Sequence, residues 1–264
     1  MTFVLGLAQC CHPEEVGTEA VLEMAEQWCA EASLRGVDIL VFPESLMTRY
    51  ELDTQSFASE AEPIDGPFCC GMDALAARYG LLLVYTVNER NGEGNPFNTA
   101  VITGSDGSKH GVYRKVHLFD TDFTKESDRM AAGSTLFEPV DTPFGRIGLS
   151  ICYDLRFPEV ARFAATRGCQ LLINPAAWVD GRLKAEQWRT LLSARAIENE
   201  MFVAGLSRVD KGYIGQSAVI GPDGVMLASG SAREELVTAR IDLSVISEVR
   251  AAMPVLAHRR PELY

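Results

Sequence analysis

The chain has 264 residues, 47% of them hydrophobic, enough to build a substantial core. Its formal net charge of −12 argues against nucleic acid and anionic membranes as main partners, because both need clustered Lys and Arg. No stretch approaches a membrane-spanning length of about 18 apolar residues, and "MTFVLGLAQC" lacks the positive n-region and full h-region of a signal peptide. The seven cysteines, Cys10, Cys11, Cys29, Cys69, Cys70, Cys152 and Cys169, are odd in number and form no CxxC. That pattern suggests neither a zinc ribbon nor a disulfide framework; free thiols in a reducing cytoplasm are the simplest expectation.

In chain order, "TFVLGLAQ" reads as a strand. Residues 14–35 then carry Val16, Ala20, Leu22, Met24, Ala25, Trp28, Cys29 and Ala32 at helical spacing. "VDILVFPE" is a strand stopped by Pro43, and "GMDALAARYG" a short helix with Gly80 as its C-cap. "LLLVYTVNE", "NTAVITG" and "GVYRKVHLF" read as strands joined by turns at "NGEGN" and "SDGSKH". The segment from Asp120 to Ser134 has no period and reads as a loop. "GRIGLSIC" is a strand, "PEVARFAATRG" a helix, "CQLLINPA" a strand and residues 183–197 a helix. "MFVAGLSRV", "QSAVIG", "VMLASG" and "ELVTARID" are strands, and 243–252 is helical. With no linker or repeat, residues 1–264 are expected to form a single domain of α/β class, with mixed sheets covered by helices. Propensity leaves open whether there is one sheet or two.

Three strand ends carry chemistry: Glu44 after "ILVFP", Lys115 in "GVYRKVHLFD" and Cys152 in "GLSICYD". Strand C-termini are where sites gather in α/β sheets. A thiol attacks a carbonyl carbon once it loses its proton, a carboxylate takes that proton, and an ammonium stabilises the resulting oxyanion. Burial is expected to raise the carboxylate's pKa towards working pH. Each residue also has a plain alternative. Cys152 fits as a small core hydrophobe, Glu44 as a helix cap and Lys115 as a snorkelling strand-edge lysine. His117, beside Lys115, invites a Cys–His dyad, for which geometry is the test. Cys169 is expected in the core, and the glycine-rich "GSDGSKHG" is a hairpin turn rather than a phosphate cradle.

"FPE" at 42–44, "YRKVHLFD" at 113–120 and "CYDLRFPE" at 152–159 together resemble the three signature blocks of the nitrilase, or carbon–nitrogen hydrolase, superfamily. "RGCQLLINPAAW", "ARAIEN" and "HRRPELY" extend the resemblance over nearly the whole chain. It implies a four-layer α-β-β-α sandwich that assembles as a homodimer or larger homo-oligomer through helical faces. It also implies a Glu–Lys–Cys triad working without metal or cofactor. By position, Glu44 is general base and acid, and Cys152 forms a thioester. Lys115 and the backbone N–H of Tyr153 stabilise the tetrahedral intermediate. Glu126, in "TKESDRMAAG", matches a second glutamate that orients the lysine. Asp154, Arg156 and Glu159 are read as partners holding the turn at Cys152, with Arg156 supplying donors to its backbone.

Within the superfamily the blocks look most like the omega-amidase branch, which acts on 2-oxo dicarboxylate monoamides such as 2-oxoglutaramate. Arg182 is the candidate partner of the substrate's far carboxylate, with a solvated loop arginine as its alternative, and Trp178 a candidate pocket wall or core residue. Another amidase of the superfamily, such as one for deaminated glutathione, an N-carbamoyl hydrolase, a nitrilase and a non-enzymatic scaffold are the remaining readings. The expected partner is a small amide.

Overall fold

The computed structural model describes residues 1–14, 17–48, 55–122 and 124–263. Alternating apolar residues build its first strand, β1 (Thr2–Gln9). Helical spacing builds α1 (Thr18–Leu34), whose buried stripe is Val21, Ala25, Cys29 and Ala32. Val16, read as part of this helix, lies outside the described residues. β2 (Ile39–Val41) is shorter than its apolar run suggests. Phe42 still donates to Val84, but Pro43 has no N–H to continue the ladder. After α2 (Gln55–Ser59), α3 (Pro67–Tyr79) ends where Gly80 takes the left-handed conformation (φ 67°) and donates to the Ala76 carbonyl.

β3 (Leu82–Asn91), β4 (Gly94–Thr103) and β5 (Lys109–Arg114) form an antiparallel meander through the two expected turns. β6 (Val140–Thr142), too short and polar to read from sequence, pairs with β7 (Gly145–Leu149). The chain continues through α4 (Pro158–Ala165), β8 (Leu171–Ala176), α5 (Lys184–Asn199) and β9 (Phe202–Ser207). β10 (Ala218–Ile220), β11 (Met226–Ser229), β12 (Glu235–Asp242) and α6 (Ser244–Ala252) complete it.

There are two sheets, each six-stranded, in the orders β12-β1-β2-β3-β4-β5 and β11-β10-β9-β8-β7-β6. Each has a parallel centre, β1-β2-β3 or β7-β8-β9, flanked by antiparallel strands. The period of two sorts side chains between layers. Ile39, Val41, Leu82 and Val84 face the second sheet, whereas Leu40, Phe42, Leu83 and Tyr85 face α1 and α3. Each such side chain contributes about 1.5–3 kcal/mol on full burial. β8 and β9 are buried along their whole length; on the outer side α5 packs on β9, and the Cys152–Arg156 turn packs on β8. Gly205 allows that approach: a Cβ there would lie 2.6 Å from both Trp188 and Leu192. Layers therefore run helix, sheet, sheet, helix. Among the described residues, no helix is long and apolar enough to cross a membrane.

Candidate active site

Glu44, Lys115 and Cys152 come together at the C-terminal ends of β2, β5 and β7, two from one sheet and one from the other. Pro43 turns the chain out of β2, and Glu44 follows, 2% exposed. Lys115 follows the last paired residue of β5 and is 1% exposed. Its Nζ donates to Glu44 Oε1 (2.8 Å) and to Glu126 Oε2 (2.8 Å) and Oε1 (3.0 Å). Glu126 opens a short 3₁₀ turn inside the loop that reads as featureless in sequence. The Phe119 N–H holds its Oε2 at 2.7 Å, so the loop's own backbone aims the carboxylate at the lysine.

Two further groups, invisible in the sequence, complete the grip on Glu44. Asn98 on β4 donates from Nδ2 to Glu44 Oε1 (2.8 Å) and Glu126 Oε1 (3.4 Å). The Ala177 N–H, just past β8, reaches Glu44 Oε2 at 2.7 Å from the opposite sheet. An asparagine in a strand-like run carries no local signal of this task.

Cys152 starts a 3₁₀ turn (Cys152–Arg156) with φ 44°, a conformation that costs a non-glycine residue about 1–3 kcal/mol. Asp154, fully buried, holds the turn. Its Oδ2 accepts from the Ile151 N–H (2.9 Å) and the Tyr113 hydroxyl (2.7 Å). Its Oδ1 accepts from the His117 N–H (3.2 Å) and lies 2.8 Å from His117 Nδ1. His117 is therefore engaged with Asp154, and its ring stacks on Phe157 at 3.7 Å, so no Cys–His dyad forms. Asp154→Ala would orphan several buried donors and cost about 3 kcal/mol or more. Calorimetry should then show Tm lower by roughly 6–12 °C, at about 2–4 °C per kcal/mol. An unchanged Tm would mean that the turn stands without Asp154.

The electrostatics set the resting protonation. Burial is the largest influence on the Cys152 thiol, and with the adjacent Glu44 charge it pushes the pKa well above the ordinary thiol range, against the pull of Lys115. Burial alone would push Glu44 upward, as expected from sequence. Attraction to Lys115 and hydrogen bonds from Lys115, Ala177 and Cys152 outweigh it, and the net shift is downward. The expectation of a raised carboxylate is thus corrected: the site rests as a neutral thiol hydrogen-bonded to a carboxylate.

A cavity of about 160 Å³ opens over Cys152. Tyr153, Phe119 and Trp178 supply its aromatic walls. Trp178 is both wall and core: it is 3% exposed and packs on Trp188 at 4.9 Å. Arg182 is exposed and does not line the cavity. The chain turns left-handed at Leu183 (φ 61°), which places Lys184, not Arg182, on the cavity side. Arg156 also lines it, stacked over Trp178 at 4.8 Å and bonded to Gln187. Its expected work on the turn's backbone falls instead to Arg195, which grips the Leu155 carbonyl through Nε (3.0 Å) and Nη2 (2.8 Å). Glu159 is exposed in the first turn of α4. Burial, then repulsion from Arg156, lowers the Lys184 pKa. Among the described residues, neither cation has a carboxylate partner.

The profile of the carbon-nitrogen hydrolase family matches residues 5–251. The omega-amidase NIT2 of Homo sapiens is 35% identical over 244 residues, 89% of this chain and 87% of its own length. The deaminated glutathione amidase of Escherichia coli O157:H7 is 33% identical over 238 residues, 90% of each chain. A crystal structure of a carbon-nitrogen hydrolase from Helicobacter pylori G27 superposes with a TM-score of 0.93 at 28% identity, covering 100% of this chain and 97% of that one.

Proposed function

Because the chain belongs to the carbon–nitrogen hydrolase family, we propose that it is an omega-amidase that releases ammonia from 2-oxo dicarboxylate monoamides such as 2-oxoglutaramate. Glu44 removes the Cys152 proton as Sγ attacks the amide carbon. The carbonyl π pair moves onto oxygen, where Lys115 Nζ and the Tyr153 N–H receive it. The carbon–nitrogen bond breaks as Glu44 gives its proton to the departing nitrogen, leaving a thioester and ammonia. Glu44 then deprotonates a water that attacks the thioester, and the proton returns to Sγ as the acid leaves. Glu126 and Asn98 keep Lys115 and Glu44 at fixed separation throughout.

The observation that carries the substrate reading is the pair Arg156 and Lys184. Two cations without a carboxylate partner among the described residues face the cavity that holds the thiol. A carboxylate at the far end of a short acyl chain satisfies both. Arg156→Met or Lys184→Met removes a charge-assisted contact of about 1.5–3 kcal/mol. KM for 2-oxoglutaramate should rise roughly 10- to 100-fold, with little change for a neutral amide of equal length. An equal loss on both substrates would remove these residues from carboxylate binding.

A second reading is hydrolysis of deaminated glutathione, favoured by the 33% identity to an amidase of that name. Hydrolysis of a panel decides between them: 2-oxoglutaramate, 2-oxosuccinamate, succinamate, glutamine, deaminated glutathione, an N-carbamoyl amino acid and a simple nitrile, each with wild type and Cys152→Ala. Cys152-dependent preference for the short oxo-acid monoamides supports the first reading, and preference for deaminated glutathione replaces it.

A further inference from the structure

We infer that Arg208 is a positioning residue that sets the Glu44 carboxylate against the Cys152 thiol by clamping the backbone one residue beyond it. The inference rests on the reading of Glu44 as the proton acceptor. Arg208 follows β9 in the second sheet and is 3% exposed. Its Nη1 crosses to the first sheet and donates to the Ser45 carbonyl at 2.8 Å. Its Nε donates to Asp210 Oδ2 at 2.6 Å, and Asp210 Oδ1 accepts from the His12 N–H at 2.6 Å. One guanidinium thus ties together the chain after β1, the turn after β2 and the end of β9.

The clamped residue needs holding. Ser45 has φ 55°, a left-handed conformation that a non-glycine side chain adopts only where surroundings impose it. From its own sheet, Thr86 Oγ1 bonds the Pro43 carbonyl (3.0 Å) and the Leu46 N–H (3.3 Å). Arg208 supplies the opposing hold from the facing sheet. Its own N–H donates to the Ala176 carbonyl at 3.1 Å, one residue before the N–H that grips Glu44 Oε2. The paired ends of β8 and β9 therefore hold this turn twice, Arg208 at the Ser45 backbone and Ala177 at the Glu44 carboxylate. The guanidinium also lies 5.7 Å from the Tyr213 ring, which lines the cavity.

A buried ion pair is weak evidence for stability, because apolar residues of similar volume often serve as well. Its directional gain is geometric. The planar guanidinium reaches its two acceptors from separate nitrogens held in a fixed fork, whereas a lysine's donors rotate about a single nitrogen.

The test compares wild type, Arg208→Lys, Asp210→Asn and Glu44→Gln. It measures kcat and KM on the amide that wild type hydrolyses best, and the second-order rate of Cys152 alkylation by iodoacetamide. Arg208→Lys should lose at least about tenfold in kcat, since a misplacement near 1 Å costs up to ~10²-fold. KM should stay within about threefold, the signature of an interaction that matters in the transition state. Alkylation should slow by the same factor as kcat, because both reactions draw on Glu44 to activate the thiol. Asp210→Asn, which loosens the guanidinium without removing it, should shift both rates in the same direction by less. If Arg208→Lys fails to fold, Asp210→Asn carries the test. Wild-type alkylation in the folded variants, with kcat unchanged or reduced alone, overturns the role assigned to Arg208. Wild-type alkylation in Glu44→Gln overturns the underlying reading of Glu44 instead, so the two failures are distinguishable.

Discussion

Cys152→Ala is expected to abolish amide hydrolysis while leaving the fold intact. Removal of a catalytic nucleophile costs roughly 10⁴–10⁶-fold in kcat, because the other groups act as a unit with it. Nothing else near the amide carbon substitutes. Among the described residues, the other six thiols lie elsewhere: Cys10, Cys29, Cys69 and Cys169 are buried, Cys11 is half-buried and Cys70 is exposed, none of them lining the cavity. Loss of Sγ at the cavity edge removes little packing. The buried contacts that define the turn belong to Asp154 and Arg195, and the substitution leaves them in place. The measurement is product release on the substrate panel beside a thermal melt. Near-normal turnover in a folded Cys152→Ala protein would remove the thioester mechanism.

Glu44→Gln is the second large effect, expected to lower kcat by at least about 10³-fold through lost general acid–base catalysis. The amide keeps the shape, but only its oxygen accepts, so it retains either Lys115 and Asn98 or Ala177 as donors, and it cannot take the thiol's proton. Burial and the Glu44 charge push the Cys152 thiol pKa up, so in the proposed mechanism its proton leaves at the moment of attack, to Glu44. The pH dependence follows from the same electrostatics. Glu44's folded pKa lies below its unfolded value, so its ionised form prevails above the ordinary carboxylate pKa of about 4.3. The acid limb of kcat/KM should therefore fall below that range. Glu44's contribution to stability has the same sign: present above the unfolded pKa and lost as pH falls through the folded one. An acid limb at or above the ordinary range would show that Lys115 and the hydrogen bonds do not outweigh burial at Glu44.

Much of the fold was legible in local pattern. Period-two alternation marks β12 and the start of β1, a continuous apolar run marks β3, and 3.6-residue spacing marks α1. Gly80 marks the end of α3 because only a left-handed residue satisfies the last carbonyls there. β6 was not legible, since three residues, two of them polar, carry no period. The 3₁₀ turn at Glu126 was not legible either, because Lys115 and the Phe119 N–H define it rather than its own propensities.

Which residue types stand at the strand ends can be read from the chain alone: an acid after "FP", a lysine after a meander strand and a thiol before "YD". Covalent order decides such placements, because a proline or a charged pair ends a strand wherever the chain packs. Tertiary structure alone decided what those residues do to one another. Glu44's pKa falls instead of rising because Lys115, 71 positions away, lies 2.8 Å from it. Lys184 lines the cavity while Arg182 is exposed, because the left-handed turn at Leu183 lies between them. Electrostatic energy and side-chain direction depend on distance in space. Sequence separation says nothing of either until two sheets close on each other.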